Sequence, residues 1–194
     1  MGEKGTLPQG IQLLPDYISA EEECELVSQV DGGIWSNDLS RRVQHYGYRY
    51  DYRKRVVDPS MRLGSLPYWL QLLALRLHED GIFAQTPDQV IVNEYMPGQG
   101  IAAHVDCEPC FGSVIASLSL CAPVPMVFGS RRTHEVAEVD LPPRSLLVLS
   151  GEGRYEWTHA ILARKTDAID GESRERARRV SLTFRTVIFN QPGS

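Results

Sequence analysis

The sequence has no run approaching the ~20 apolar residues that a membrane-spanning helix needs. Its N-terminus also lacks the apolar core of a secretory signal. A cytoplasmic protein outside the membrane is therefore expected. Met1-Gly2-Glu3-Lys4-Gly5-Thr6 fits the spacing of a myristoylation pattern, although so short a match, with charged Glu3 beside the glycine, carries little weight. Cysteine is scarce: Cys24, Cys107, Cys110 and Cys121 are the four in 194 residues. Without an export signal they are expected to be thiols rather than a disulfide framework. Positive charge is not in excess either. A net charge of −5 argues against a generic nucleic-acid coat, because phosphate binding needs cationic surface. Internal repeats, heptads and low-complexity tracts are missing, so a single monomeric domain is expected over residues 1–194.

One segment departs from this acidic average. Residues 41–62 carry seven cations (Arg41, Arg42, Arg49, Arg53, Lys54, Arg55, Arg62) against Asp51 and Asp58. His45 and four alternating tyrosines, Tyr46, Tyr48, Tyr50 and Tyr52, lie within it. A basic, aromatic patch on an acidic body can hold one piece of nucleic acid. Alternate tyrosines can also be the core face of a strand.

Ser19-x-x-Glu22 forms a capping box, predicting a helix through Cys24, Leu26, Val27 and Val30 that stops at Gly32-Gly33. Leu66, Leu70, Leu73 and Leu77 predict a second helix from Pro67 to Gly81. From residue 89 the period shortens. Segments 89–95, 101–105, 114–120, 126–129, 135–139, 145–149, 155–161 and 180–188 read as strands separated by proline and glycine. The charged stretch 164–179 reads as a solvated loop. Two helices and about eight short strands predict a mainly β fold, a sandwich, barrel or jelly roll. Residues 1–88 would supply helices and a lid, and residues 89–190 the β core.

His104-Val105-Asp106 points to chemistry. Positions i and i+2 of a strand share a face, so an imidazole and a carboxylate project together. One more histidine completes a two-histidine, one-carboxylate facial triad, which leaves coordination positions open and suits non-haem iron(II) oxygenases. Of His45, His78, His134 and His159, only His159 lies in a late apolar strand. The tripeptide also arises by chance and decides nothing alone. Cys107-x-x-Cys110 leaves a zinc site on His104, Cys107, Cys110 and Cys121 as a rival, without the second cysteine pair of a zinc ribbon. His134-Glu135 and His78-Glu79 lack the second histidine of a zinc-protease helix.

Arg179, Ser181, Thr183 and Arg185 share one strand face, opposite Val180, Leu182 and Phe184. The two arginines stand ~20 Å apart on an ideal strand. A dicarboxylate calls for a planar guanidinium at its distal end. Asn93 and Tyr95 form a further same-face pair able to bond carboxylates. Surface charges flanking a core strand are the alternative.

Taken in order, Asn93-x-Tyr95-x-x-Gly98, Ile101-x-x-His104-x-Asp106, His159 and Arg179-x-Ser181-x-x-x-Arg185 resemble the AlkB family of dioxygenases, over about residues 90 to 188. Four further pieces are similar to the family's tRNA wobble-uridine oxygenase branch and its bacterial relatives. They are Arg41-Arg42-Val43-Gln44-His45-Tyr46-Gly47-Tyr48, Tyr95-x-Pro97-Gly98-Gln99-Gly100-Ile101, Arg144-Ser145-Leu146-Leu147-Val148 and Arg154-Tyr155-x-Trp157-Thr158-His159. The chain is short for that larger enzyme's RNA-binding and methyltransferase domains.

The resemblance implies a double-stranded β-helix (jelly roll) and an oxidoreductase using Fe(II), 2-oxoglutarate and O2. It implies His104, Asp106 and His159 as iron ligands. It implies Asn93, Tyr95, Arg179, Ser181 and Arg185 around 2-oxoglutarate, with Arg179 on the distal carboxylate and Arg185 near the metal. The implied partner is nucleic acid. The expected reaction is oxidative dealkylation of a methylated or etheno base in DNA or RNA. Hydroxylation of a tRNA nucleoside side chain is the alternative, with protein hydroxylation behind it. Residues 41–62 correspond to a substrate lid, where Gly47-Tyr48-Arg49-Tyr50 resembles part of the bacterial repair enzyme's lid. Substrate is thus expected at Arg41, Arg42, His45, Tyr46, Tyr48, Tyr50 and Trp157, with arginines on phosphates and tyrosines stacking on a flipped base. Glu108 stands where repair-type members place an acid that contacts an adenine or cytosine amino group. A solvated glutamate before Pro109 is the alternative.

Overall fold

A computed structural model describes residues 7–37, 39–169 and 172–189, so the myristoylation-like pattern of residues 1–6 lies outside the described residues. The elements follow the order β1 (Ile11–Leu14), α1 (Ala20–Asp31), β2 (Val43–Tyr46), α2 (Tyr68–Glu79), β3 (Gln89–Tyr95), β4 (Ile101–His104), β5 (Phe111–Leu120), β6 (Val124–Ser130), β7 (Val136–Leu141) and β8 (Leu146–Leu149). After these come α3 (Gly151–Tyr155), β9 (Trp157–Ile161), β10 (Thr166–Ile169), β11 (Glu172–Glu175) and β12 (Arg179–Val187). No helix among the described residues is long and apolar enough to cross a membrane.

Two antiparallel sheets make the body. The larger has strand order β1-β8-β5-β12-β3-β2 and the smaller β4-β9-β6-β7. This is the jelly roll that the family resemblance implied, one of the three arrangements left open by the strand spacing. The two-residue period of a strand gives the large sheet its two cores. Val90, Val92, Ala116, Leu118, Val180, Leu182 and Phe184 face outward and meet Leu26 and Val30 of α1 and Leu70, Leu73 and Leu77 of α2. Burying each such side chain contributes about 1.5–3 kcal/mol. Ile115, Leu147 and Leu149 face the other way and pack on Met126, Phe128, Leu141 and Ile161 of the smaller sheet.

α1 starts as its sequence predicts. The Ser19 side chain accepts from the Glu22 N–H, and the Glu22 carboxylate accepts from the Ser19 N–H. α2 follows Pro67, which occupies the N-cap rather than the first helical turn. Gly47 turns the chain out of β2 with a φ of +77°, and a Cβ there would sit 1.9 Å from the Asp88 carbonyl oxygen. Only glycine fits that path.

The structure differs from the sequence reading in four places. The stretch read as a loop after residue 164 contains the antiparallel pair β10–β11, with Thr166 opposite Glu175. Its exposed, charged residues lack the apolar alternation that marks a strand. The strand read from residue 155 begins at Trp157, because Gly151–Tyr155 closes a helical turn first. β1 was not foreseen: its four residues are too short for a periodic signal, yet they pair with β8 from Ile11↔Leu149 to Leu14↔Leu146. Finally, Cys107 and Cys110 are joined as a disulfide, not present as two thiols.

Candidate active site

β4 and β9 are paired with His104 opposite His159, and their ring centroids stand 4.4 Å apart. Asp106 follows two residues after the end of β4. Its Oδ2 lies 3.4 Å from His159 Nε2. One ligand atom from each of His104, Asp106 and His159 falls within 4.8 Å of the others, and this is the cluster able to hold a metal among the described residues. The zinc alternative has no such cluster, and its Cys107 and Cys110 sulfurs are bonded to each other.

The protonation pattern suits a cation. His104 Nδ1 stands 2.8 Å from the Ala102 carbonyl oxygen, so the Nδ1–H tautomer donates there and leaves the Nε2 lone pair for a ligand bond. Burial alone would raise the Asp106 carboxyl. Arg185 first, then His159 and His104, outweigh burial and hold it well below the ordinary carboxylate range. Arg185 Nη2 donates to Asp106 Oδ1. Burial pushes His159 down to about 4, against the pull of Asp106, so its ring is neutral at physiological pH. Two imidazoles, that of His159 neutral, and an ionised carboxylate form a donor set that fits a divalent metal.

The triad opens into a cavity of about 370 Å³. Asn93, Tyr95, Arg179, Ser181 and Arg185 line it, as do Arg41 and Tyr50. They converge because β3 and β12 pair with Arg179 opposite Tyr95, Ser181 opposite Asn93 and Arg185 opposite Gln89. Arg179 is 2% exposed. Its Nη2 donates to Ser119 Oγ at 2.9 Å, and its guanidinium stands 5.4 Å from the Tyr95 ring centroid. Its Nε has no partner among the described residues. Burial lowers its pKa to about 10, so it remains a cation at neutral pH. A buried guanidinium without a carboxylate partner is costly unless an anion meets it. Arg179 therefore fits the distal carboxylate of 2-oxoglutarate.

The expected substrate residues divide. Arg41 is buried in the cavity wall, with Nε donating to Asn93 Oδ1 at 2.9 Å, and is placed for ligand rather than for an outer phosphate. Arg42 points to the opposite side, where it pairs with Glu94 at 2.6 Å and lies 4.6 Å from the Trp35 ring centroid. Tyr46 packs edge-on against Trp69 in the helix-side core. Residues one apart on a strand face opposite ways, which separates Arg42 and Tyr46 from the cavity. His45 packs against Tyr52, Tyr48 against Phe189, and Trp157 is buried where β9 begins. Glu108 lies outside the cavity and pairs with Arg131 at 3.3 Å. The sequence reading assigned no site role to Tyr52 and Arg55, which line the cavity, or to Arg154. The alternation of Tyr50 with Tyr52 could have flagged the first.

A fold of two facing antiparallel sheets with a part-buried His-x-Asp…His triad defines a metal-dependent oxygenase of the jelly-roll class. The profile of the 2OG-Fe(II) oxygenase superfamily matches residues 10–185, and the chain belongs to that superfamily. It is 39% identical over 201 residues to the "Alkylated DNA repair protein ALKBH8 homolog" of Arabidopsis thaliana, covering 92% of this chain and 58% of that protein. It is 37% identical over 206 residues to "tRNA (carboxymethyluridine(34)-5-O)-methyltransferase alkbh8" of Xenopus tropicalis, covering 94% of this chain and 32% of that one. The chain thus spans about three fifths and one third of these relatives. The solved structure of OsALKBH1 shares the fold, with a TM-score of 0.70 at 16% identity, covering 94% of this chain and all of that one. Within the superfamily the chain is an AlkB-family dioxygenase, an oxidoreductase that uses Fe(II), 2-oxoglutarate and O2.

Proposed function

We propose that the chain hydroxylates a carbon on a nucleobase substituent in nucleic acid, with His104, Asp106 and His159 holding iron(II) and Arg179 holding the distal carboxylate of 2-oxoglutarate. One observation carries this reading: the triad and a buried guanidinium, without an acid partner among the described residues, open into the same cavity. Iron(II) with 2-oxoglutarate and O2 supplies an oxidant for a C–H bond, 2-oxoglutarate leaving as succinate and carbon dioxide.

The chain's own residues bind and orient. Arg185 keeps Asp106 anionic and fixes its carboxylate plane, and the Ala102 carbonyl fixes the His104 tautomer. Arg41 and Asn93 brace each other beside Tyr95. Ile115, Met126, Leu147 and Leu149 give the cavity an apolar wall that limits water at the reacting carbon. Tyr50, Tyr52 and Arg55, on the segment that also carries Arg53 and Lys54, supply the aromatic and cationic groups suited to a flipped base and its phosphates.

A hydroxyl placed on a carbon bonded to carbon is retained. One placed on a carbon bonded to a ring nitrogen collapses to an aldehyde and the free base. Glu108, the group suited to a base amino donor, is engaged with Arg131 outside the cavity. That position and the likeness to the Xenopus tRNA enzyme favour a retained hydroxyl on a tRNA side chain. Dealkylation stands second, supported by the likeness to the Arabidopsis protein named for DNA repair. The test incubates the protein with iron(II), 2-oxoglutarate, ascorbate and either tRNA or methylated and etheno oligonucleotides, followed by mass spectrometry. A tRNA nucleoside that gains one oxygen without aldehyde release is expected. Consumption of 2-oxoglutarate with every nucleic acid left unchanged would overturn the proposal.

A further inference from the structure

We infer that Arg154 is the positioning residue of the metal site, tying the loop that carries Asp106 to the turn that leads into His159. This inference rests on the proposed triad. β4 ends at His104, and its pairing with β9 is irregular between Ile101 and His104. The sheet therefore leaves the backbone of Asp106 without a ladder partner, although Asp106 must stand at a fixed distance from both histidines. Arg154 supplies the missing tether. It projects from α3, three residues before the start of β9, and is 2% exposed.

Its guanidinium spans the loop. Nη1 donates to the Asp106 carbonyl at 3.1 Å, Nη2 to the Cys107 carbonyl at 3.4 Å, and Nε to the Gly112 carbonyl at 3.4 Å. The same guanidinium stands 4.9 Å from the Tyr155 ring centroid. No carboxylate pairs with it among the described residues. Burying a cation against carbonyls and one aromatic ring is costly, and an apolar side chain of similar volume would fill the space more favourably. Five donors in a rigid planar fork fix the relative placement of three carbonyls, a geometry that a compact ammonium on a flexible stem does not impose. Asp106 is thus held twice, its side chain by Arg185 and its backbone by Arg154.

A second strap runs on the solvent side. Arg131 Nη1 donates to the Tyr155 carbonyl at 2.9 Å and to Glu108 at 3.3 Å, linking the same two segments. Two arginines thus join chain segments that each carry part of the triad. Their joint effect is a triad assembled before iron arrives.

The experiment measures iron(II) affinity by anaerobic titration of the absorbance band of the iron–2-oxoglutarate complex. 2-Oxoglutarate affinity at saturating metal and the melting temperature of the metal-free protein are measured beside it. Arg154→Gln is expected to weaken iron(II) binding roughly 10- to 100-fold, the range for partners that orient metal ligands. 2-Oxoglutarate affinity should stay within about twofold, because Arg179 on β12 is untouched, and excess iron(II) should restore turnover. Arg154→Lys, which keeps the charge but loses the fork, should fall between. Iron affinity equal to wild type, or a parallel fall of iron affinity, 2-oxoglutarate affinity and melting temperature, overturns the assignment. If Arg154→Gln yields no soluble protein, Arg154→Lys decides: weaker iron binding at an unchanged melting temperature supports it, and unchanged binding overturns it. Failure of the triad itself reads differently, since the wild-type protein would then show no iron-dependent band.

Discussion

At the residue scale, charge placement governs the site. Arg179 and Arg185 sit on one face of one strand, yet their surroundings give them different tasks. Arg185 is neutralised by Asp106, whereas Arg179 meets a serine hydroxyl and the Tyr95 ring, with no carboxylate paired to it among the described residues. Arg179→Met should therefore weaken 2-oxoglutarate binding roughly 10- to 100-fold, because losing a charge-assisted hydrogen bond costs about 1.5–3 kcal/mol. Iron affinity should change little, and titrations of each ligand read the two effects separately. Asp106→Ala acts at the other end: the iron-dependent absorbance band and succinate formation should both vanish. Retention of either would remove the carboxylate from the ligand set.

At the element scale, Glu94 joins three parts of the fold. Standing on the outer face of β3, it takes Arg42 from the segment before β2 at 2.6 Å and Arg178 from the start of β12 at 2.7 Å. Arg178 reaches on to Asp31 at the end of α1. Arg42 first, and Arg178 after it, hold the Glu94 carboxyl below its usual value against the opposing effect of burial. A depressed folded value means that its contribution is present above the usual glutamate range, about pH 4.3, and is lost as pH falls through the folded value. Glu94→Gln should cost about 1–3 kcal/mol at pH 7. Thermal unfolding of both proteins should show the gap closing on acidification, and a gap that stays constant would remove the ionic contribution. Phe184, 1% exposed where β12 meets the helices, should cost about 3–5 kcal/mol when replaced by alanine. Urea unfolding measures that loss.

At the scale of the whole molecule, the proposed metal and co-substrate sites draw on both sheets. His104 and His159 come from the smaller sheet, and Arg179 comes from the larger one. A ligand that binds only the folded chain stabilises it by about 2.7 kcal/mol at a hundredfold excess over its Kd. Manganese(II) with 2-oxoglutarate should therefore raise the melting temperature, and a chelator should reverse the rise. In Arg179→Met the increment from 2-oxoglutarate should shrink while that from the metal stays. An equal loss of both increments would show that the two ligands do not occupy separate ends of the cavity.

Periodicity alone determined much of this molecule. The i, i+2 spacing of His104 and Asp106 flagged the pair, although β4 stops at His104 and Asp106 stands in the loop beyond it. Strand alternation did put Arg179, Ser181 and Arg185 opposite Val180, Leu182 and Phe184. The capping box at Ser19 and the leucine spacing after Pro67 located both long helices. These are local signals, carried by neighbours along the chain. Tertiary structure decided what local spacing cannot encode. Arg41 and Arg42 are adjacent in sequence, yet one lines the cavity and the other clasps Glu94, because the pairing of β2 with β3 assigns the faces. Tyr46 falls under α2 for the same reason, and Glu108 is engaged by an arginine 23 residues away. Arg154 lies in a segment similar to the family, yet its task shows only where the loop carrying Asp106 folds over it. The sequence by itself set which residues could hold iron and 2-oxoglutarate. Only the packing of two sheets, which brings segments 53 residues apart within 3.4 Å, decided that Arg179 faces the cavity with no acid paired to it among the described residues, while Arg154 spends its donors on backbone carbonyls.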